Sequence, residues 1–202
     1  MEINIQDTLK QAIIQESESI ASLSNIIDDS FEKAILAITE CSGKVVITGV
    51  GKSGHIGKKI AATFSSTGTP SFFMHSTEGL HGDLGMIEKE DIVILISNSG
   101  ETSEVISLLP TIKTIGSQTI SITSNNQSTL AKSVDFPLAY TYTHEVDHLN
   151  LAPTTSSTTV LVIGDALAVT LSKIREFRAE DFHLYHPGGS LGRQLSEKEG
   201  EK

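Results

Sequence analysis

Cysteine, basic charge and long apolar runs are all scarce in this 202-residue chain, and each scarcity excludes something. The single Cys41 cannot form an internal disulfide, which points to a reducing compartment and a cytoplasmic protein. Fifteen Lys and Arg against 25 Asp and Glu give a formal charge of −10 and a pI near 5.1. That balance argues against nucleic acid as a partner, because a nucleic-acid groove needs a basic face. A small phosphorylated ligand stays open, since local N–H groups and one or two lysines can overrule the net field. Apolar runs stop at about six residues, far short of a membrane span, so no membrane partner is expected. Met1-Glu2-Ile3-Asn4 lacks the basic and apolar parts of a signal peptide. No internal repeat or low-complexity segment is evident.

What is present is an alternation of two hydrophobic periods. Ile5, Leu9, Ala12, Glu16, Ile20, Leu23 and Ile27 fall at helical spacing, as do Phe31, Ala34, Ile35 and Ile38, so the first forty or so residues read as two helices. Strand-like segments follow at Val45–Thr48, Ser71–Met74, Asp91–Ile96, Thr119–Ile122 and Phe136–Tyr140. Helical patterns separate most of them, notably Ser53–Ser65 and Thr102–Ile115, and a long apolar helix is expected around Val160, Ile163, Leu167, Leu171 and Ile174. Such alternation predicts an α/β fold with a doubly wound parallel sheet, whose ligands sit beyond the carboxyl ends of the strands. Asp165, within the apolar last helix, is expected to be a buried structural acid.

Two loops at strand ends carry the chemistry. After the third strand comes Ser97-Asn98-Ser99-Gly100-Glu101-Thr102, with three hydroxyl side chains and a glycine in six residues opening a helix. Hydroxyls and free N–H groups at a helix N-terminus favour phosphate. After the first strand comes Gly49-Val50-Gly51-Lys52-Ser53-Gly54, which matches the G-x-G-x-x-G dinucleotide fingerprint. The acid that should hold a ribose is poorly supplied, because Glu78 lies beyond His75 in a polar loop. A P-loop would need glycine at position 46, where Val46 stands. His144-Glu145-Val146-Asp147-His148 spells H-E-x-x-H, but it lies between a strand and Leu151-Ala152-Pro153, a loop context unlike the helix that zinc proteases need.

Together, Gly51–Gly54 and Ser97–Thr102 resemble the sugar isomerase (SIS) domain family, which binds phosphosugars. Further segments resemble its arabinose 5-phosphate isomerase branch: Ser66–Pro70, His81–Gly85, Leu151–Thr154, Gly164–Ala168 and His186-Pro187-Gly188-Gly189-Ser190-Leu191-Gly192-Arg193. These fall in order across residues 44–195. The resemblance implies a three-layer α-β-α sandwich with a five-stranded parallel sheet of flavodoxin-like type. Its implied organisation is N-terminal helices over residues 1–43, an isomerase domain over 44–195 and a polar tail over 196–202.

The implied reaction interconverts D-ribulose 5-phosphate and D-arabinose 5-phosphate for Kdo, a sugar acid of lipopolysaccharide or capsule. By resemblance Ser53, Ser97, Ser99 and Thr102 hold the phosphate, beside the loop glycine Gly51. Lys52, Glu104, Glu145 and His186 match catalytic positions, and His81, Gly68 and Thr69 match substrate-contacting ones. Either glutamate could be the base, and His186, far from the sheet in sequence, is expected to come from a neighbouring subunit of a homotetramer. No cofactor is required. Zinc is associated with the position of His75 in the resembling family and is expected to be non-catalytic or inhibitory. The sequence around Glu145 departs from that of the relatives, and no room remains after His186 for the paired CBS domains that many of them carry. Two other readings stay open: an isomerase of a hexulose or heptose phosphate, and a non-catalytic phosphosugar-binding module.

Overall fold

The computed structural model describes residues 3–187. Asn4 caps the first helix, α1 (Ile5–Ser22), its side-chain oxygen accepting from Asp7 N. A 3₁₀ turn (Leu23–Ile26) leads into α2 (Asp29–Glu40), where Asp28 accepts from Ser30 N. Strand and helix then alternate: β1 (Val45–Gly49), α3 (Gly51–Ser66), β2 (Ser71–His75), α4 (Ser76–Gly79) and, after a 3₁₀ turn, β3 (Ile92–Ile96). The second half holds α5 (Ser103–Ile106), α6 (Leu109–Ile115), β4 (Gln118–Thr123), α7 (Thr129–Ser133) and β5 (Phe136–Ala139). It closes with α8 (Thr155–Ile174) and α9 (Ala179–Tyr185).

All four strand pairings are parallel, and the sheet order is β2-β1-β3-β4-β5. The five strands fall where the alternation places them, shifted by a residue at their ends. β-branched and apolar runs bury both faces of a central strand, and β1 and β3 are buried at every position. Alternate residues feed two cores. Val45, Ile47, Ile92, Ile94, Ile120 and Ile122 pack with Phe31, Ile38, Ile60, Phe64, Ile163 and Leu167 from α2, α3 and α8. Val46, Val93 and Leu95 pack on the other face with Val105, Leu108, Ile112 and Leu130. The result is a three-layer sandwich, with α2 built into the first core.

Two expectations are corrected. The helix after the serine loop is broken into α5 and α6, because Pro110 has no N–H to give Ile106 O and its ring crowds that carbonyl. Asp165 is half-exposed and paired with Lys59 of α3 rather than buried. As expected, α8 is strongly apolar, enough by length and composition alone to cross a membrane, with a mean hydropathy of 1.4. It packs instead on α3, where Gly164 lets Ile60 approach closely.

Candidate phosphate and sugar site

Reversal of the winding direction opens a crevice between β1 and β3, and in open α/β sheets ligands bind at that switch point. Gly49 and Ile96 are register partners, so the two loops leave the sheet level with each other. Gly51 (φ +58°) and Gly100 (φ +69°) supply the left-handed turns that bend each loop into the following helix. The first turn of α3 has no side-chain cap, and neither has that of α5. A cavity of about 300 Å³ lies beside them, lined by Lys52, Ser53, Ser99, Thr102, Ser156 and Ser157 among others.

Inside the serine loop the hydroxyls stiffen the backbone. Ser97 is buried, and its Oγ accepts from Gly100 N at 3.0 Å and bonds Thr102 Oγ1 at 2.7 Å. Ser99 Oγ accepts from Glu101 N at 3.1 Å. The Glu101 carboxylate in turn accepts from Thr129 N at 2.7 Å, which ties the loop to α7. Glu104 accepts from its own backbone N–H and from Ser103 Oγ at 2.9 Å, and these bonds lower its carboxyl pKa.

A third helix N-terminus, that of α8, faces the same edge and is already occupied by an anion. Glu145 is buried, and its Oε2 accepts from Thr154 N (2.8 Å), Thr154 Oγ1 (3.1 Å) and Ser156 N (3.1 Å). Burial pushes its carboxyl up, but the bonds from Ser156 and Thr154 outweigh that and hold it below the ordinary value. All three bonds fall on Oε2, so Oε1 is the oxygen left for a second cavity of about 430 Å³. That cavity is lined by Asn98, Ser124, Tyr142, Glu145 and Asn150 among others, and it shares Asn98 and Pro153 with the first. The H-E-x-x-H segment is irregular backbone, as the flanking sequence predicts, and His148 pairs with Asp147.

The structure therefore brings Lys52, Ser53, Ser99 and Thr102 to one cavity, with Gly51 and Ser97 shaping its loops and Glu145 in the adjoining cavity. Glu104 closes the serine loop without lining either cavity. His75 ends β2 and His81 follows it, at the same end of the sheet but on its flank, where His75 Nδ1 accepts from Thr77 N. Among the described residues no group of three or more His, Cys, Asp or Glu is placed to hold a metal ion, at His75 or elsewhere. Gly68 and Thr69 precede β2, at the opposite end of the sheet, with Gly68 packed against the Phe177 ring. His186 lies there too, stacked on Phe182 with Nδ1 bonded to Phe182 O at 2.8 Å. The 20-residue α8, about 30 Å long, lies between the loop end of the sheet and the segment that carries His186. Gly188–Arg193 lie outside the described residues.

Sequence reasoning missed Asn98, Tyr140, Tyr142 and Ser156 as site residues. The hydroxyls at 156 and 157 open a helix after proline, the same signal that exposed the serine loop.

Fold and site together define an α/β protein with a candidate ligand cradle at the switch point of a five-stranded parallel sheet. The SIS domain family model matches residues 38–170, and the chain belongs to that family. It is 52% identical over 193 residues to arabinose 5-phosphate isomerase KdsD of Yersinia pestis, covering 96% of this chain and 59% of that protein. It is 48% identical over 189 residues to arabinose 5-phosphate isomerase KpsF of Escherichia coli O6:H1, covering 93% and 58% respectively. The chain thus spans about three-fifths of the length of these curated relatives. The solved structure of an E. coli CFT073 protein in complex with arabinose 5-phosphate superposes with a TM-score of 0.88 at 48% identity, covering 92% of this chain and all of that one.

Proposed function

We propose that the chain is an aldose–ketose isomerase that interconverts D-ribulose 5-phosphate and D-arabinose 5-phosphate, in the cytoplasm, for Kdo synthesis. The observation that carries this reading is the cradle: two uncapped helix N-termini with Lys52, Ser53, Ser99 and Thr102 at one cavity, and an anchored carboxylate in the next. Support also comes from the relatives named arabinose 5-phosphate isomerase and from the structural neighbour that binds arabinose 5-phosphate.

The phosphate sits on Ser53, Ser99 and Thr102 with the N–H groups of α3 and α5, where dipole and donors favour an anion. Isomerisation moves a proton between C1 and C2 through an enediolate. Glu145 is the base: Oε2 is fixed by the α8 N-terminus, so Oε1 is presented to the cavity at a set angle, and the lowered pKa keeps it ionised at neutral pH. It takes the C2 proton of the aldose and returns it to C1. Lys52 stabilises the oxyanion that forms meanwhile. His186 moves protons between sugar oxygens. It is supplied by a neighbouring subunit of a homotetramer, a reading supported by its place beyond the far end of α8. No step needs a cofactor.

Proton NMR of the protein with D-arabinose 5-phosphate tests the reading. Ribulose 5-phosphate is expected to appear, and its absence alongside turnover of a hexose or heptose phosphate would reassign the substrate. Binding without C1 proton exchange in heavy water would make the chain a sensor. Thorough chelation is expected to leave the rate unchanged, and loss of activity restored by zinc would overturn the cofactor-free mechanism. Mixed Lys52→Ala and His186→Ala protomers are expected to regain activity if His186 is supplied in trans.

A further inference from the structure

We propose that Tyr142 is a specificity-determining hydrogen-bond donor to the sugar, oriented by a relay through Asn98 from the buried Tyr140. The inference rests on the phosphosugar reading above and adds residues that the loop motifs do not contain.

The relay is directional. Tyr140 is almost completely buried, and burial first, then the nearby Tyr142 and Glu145, push its hydroxyl well above the usual phenol range. It is therefore a neutral O–H under all working conditions, and it donates to Asn98 Oδ1 at 2.7 Å. That bond fixes the amide orientation, so Nδ2 faces the other way and donates to Tyr142 Oη at 3.0 Å. Because Tyr142 Oη accepts from Asn98, its own proton points elsewhere. Among the described residues it meets no acceptor, and Tyr142 lines the cavity of about 430 Å³ that also holds Glu145. A chain of aligned hydrogen bonds polarises its last donor, which strengthens the bond it offers.

The position suits the sugar rather than the phosphate. Asn98 borders both cavities, with Ser99 and Thr102 on the phosphate side and Tyr142 and Glu145 on the other. Its backbone is locked as well, since Asn98 O accepts from Ser124 N (2.9 Å) and Ser124 Oγ (2.7 Å). A ligand held by its phosphate on the serine loop reaches the second cavity past Asn98 and Pro153. There it meets a carboxylate that accepts protons and a phenol that donates a hydrogen bond. An oxygen of the sugar, carbonyl or hydroxyl, is the partner such a donor selects.

The test compares Tyr142→Phe, Tyr140→Phe and wild type in two assays: turnover of D-arabinose 5-phosphate, and competitive inhibition of that turnover by inorganic phosphate. Tyr142→Phe is expected to raise KM for the sugar phosphate, or lower kcat/KM, about tenfold, the effect of one lost hydrogen bond. The inhibition constant of inorganic phosphate should stay within twofold, which also shows that the loops are intact. Tyr140→Phe, which keeps the ring at the edge of the phosphate cavity and removes only its hydroxyl, should reproduce a smaller part of the same change by freeing the Asn98 amide. An unchanged kcat/KM in Tyr142→Phe overturns the assignment, and so does an equal weakening of inorganic phosphate, which would reveal only a loosened loop. Wild-type protein that does not turn over the sugar phosphate overturns the isomerase reading itself, and this inference with it.

Discussion

Replacing Glu145 by glutamine separates its two duties, anchoring α8 and carrying a proton. In the wild type the carboxylate accepts two N–H bonds from the first turn of α8 and one hydroxyl bond from Thr154. Glutamine keeps an acceptor oxygen but loses the charge. A charge-assisted bond is about twice as strong as a neutral one, and an ordinary net bond contributes about 1 kcal/mol. Attraction of a partly buried anion to a helix N-terminus reaches up to about 2 kcal/mol. The expected loss is therefore about 2 kcal/mol, which for a chain of this size lowers Tm by roughly 4–8 °C. Burial and hydrogen bonding together leave the folded pKa below the ordinary 4.5, so the stabilisation is fully present above that value. It is lost as pH falls through the folded pKa, because the unfolded chain then binds the proton more readily. Thermal melts of the two proteins should differ at neutral pH and converge well below about pH 4.5. Activity should fall more steeply, with kcat down by about 10²–10⁴ and KM little changed, as expected for loss of a general base. Equal stability at neutral pH, or a gap undiminished in acid, would refute the anchoring argument, and an unchanged kcat would refute the base.

Other perturbations have clear directions. Gly100→Ala places a Cβ against Ser128 and Thr123 at φ +69°, so it should destabilise by about 2 kcal/mol and weaken inorganic phosphate binding at least tenfold by titration calorimetry. Asp91→Ala removes a fully buried carboxylate that accepts from Lys44 Nζ (2.8 Å), Lys44 N (2.9 Å) and Glu88 N (2.8 Å), and should cost about 3–5 kcal/mol in denaturant unfolding. Asp165→Ala breaks only the solvated pair with Lys59 and should cost less than about 1 kcal/mol in the same experiment.

The strands were legible because their signal is local. β1 and β3 are continuous apolar runs, and loops rich in glycine and serine after them can serve few other purposes. The break between α5 and α6 was legible too, in Pro110, but the apolar spacing around it reads as one helix. Asp165 shows a different limit. Helix α8 is apolar on most sides, so its sequence does not say which face meets solvent, and its partner Lys59 is 106 residues away. Glu145 reads as a loop carboxylate because its anchoring bonds reach nine and eleven residues onward, to backbone that the pattern cannot place. The Asn98 relay joins residues more than forty positions apart across an intervening strand, and no local pattern encodes that.

The level exit of the two loops at Gly49 and Ile96 has a further consequence. Neighbouring parallel strands are locked about 4.8 Å apart by their hydrogen bonds, so the spacing of the two anion-holding loops is set by the backbone ladder rather than by any hinge. On the proposed reading the grip is a fixed gauge, set for one tetrahedral anion and indifferent to what the phosphate carries. On the same reading, discrimination among phosphosugars belongs to the flanks of the sheet, in the segments after β2 and β5, which can change their side chains without disturbing the gauge.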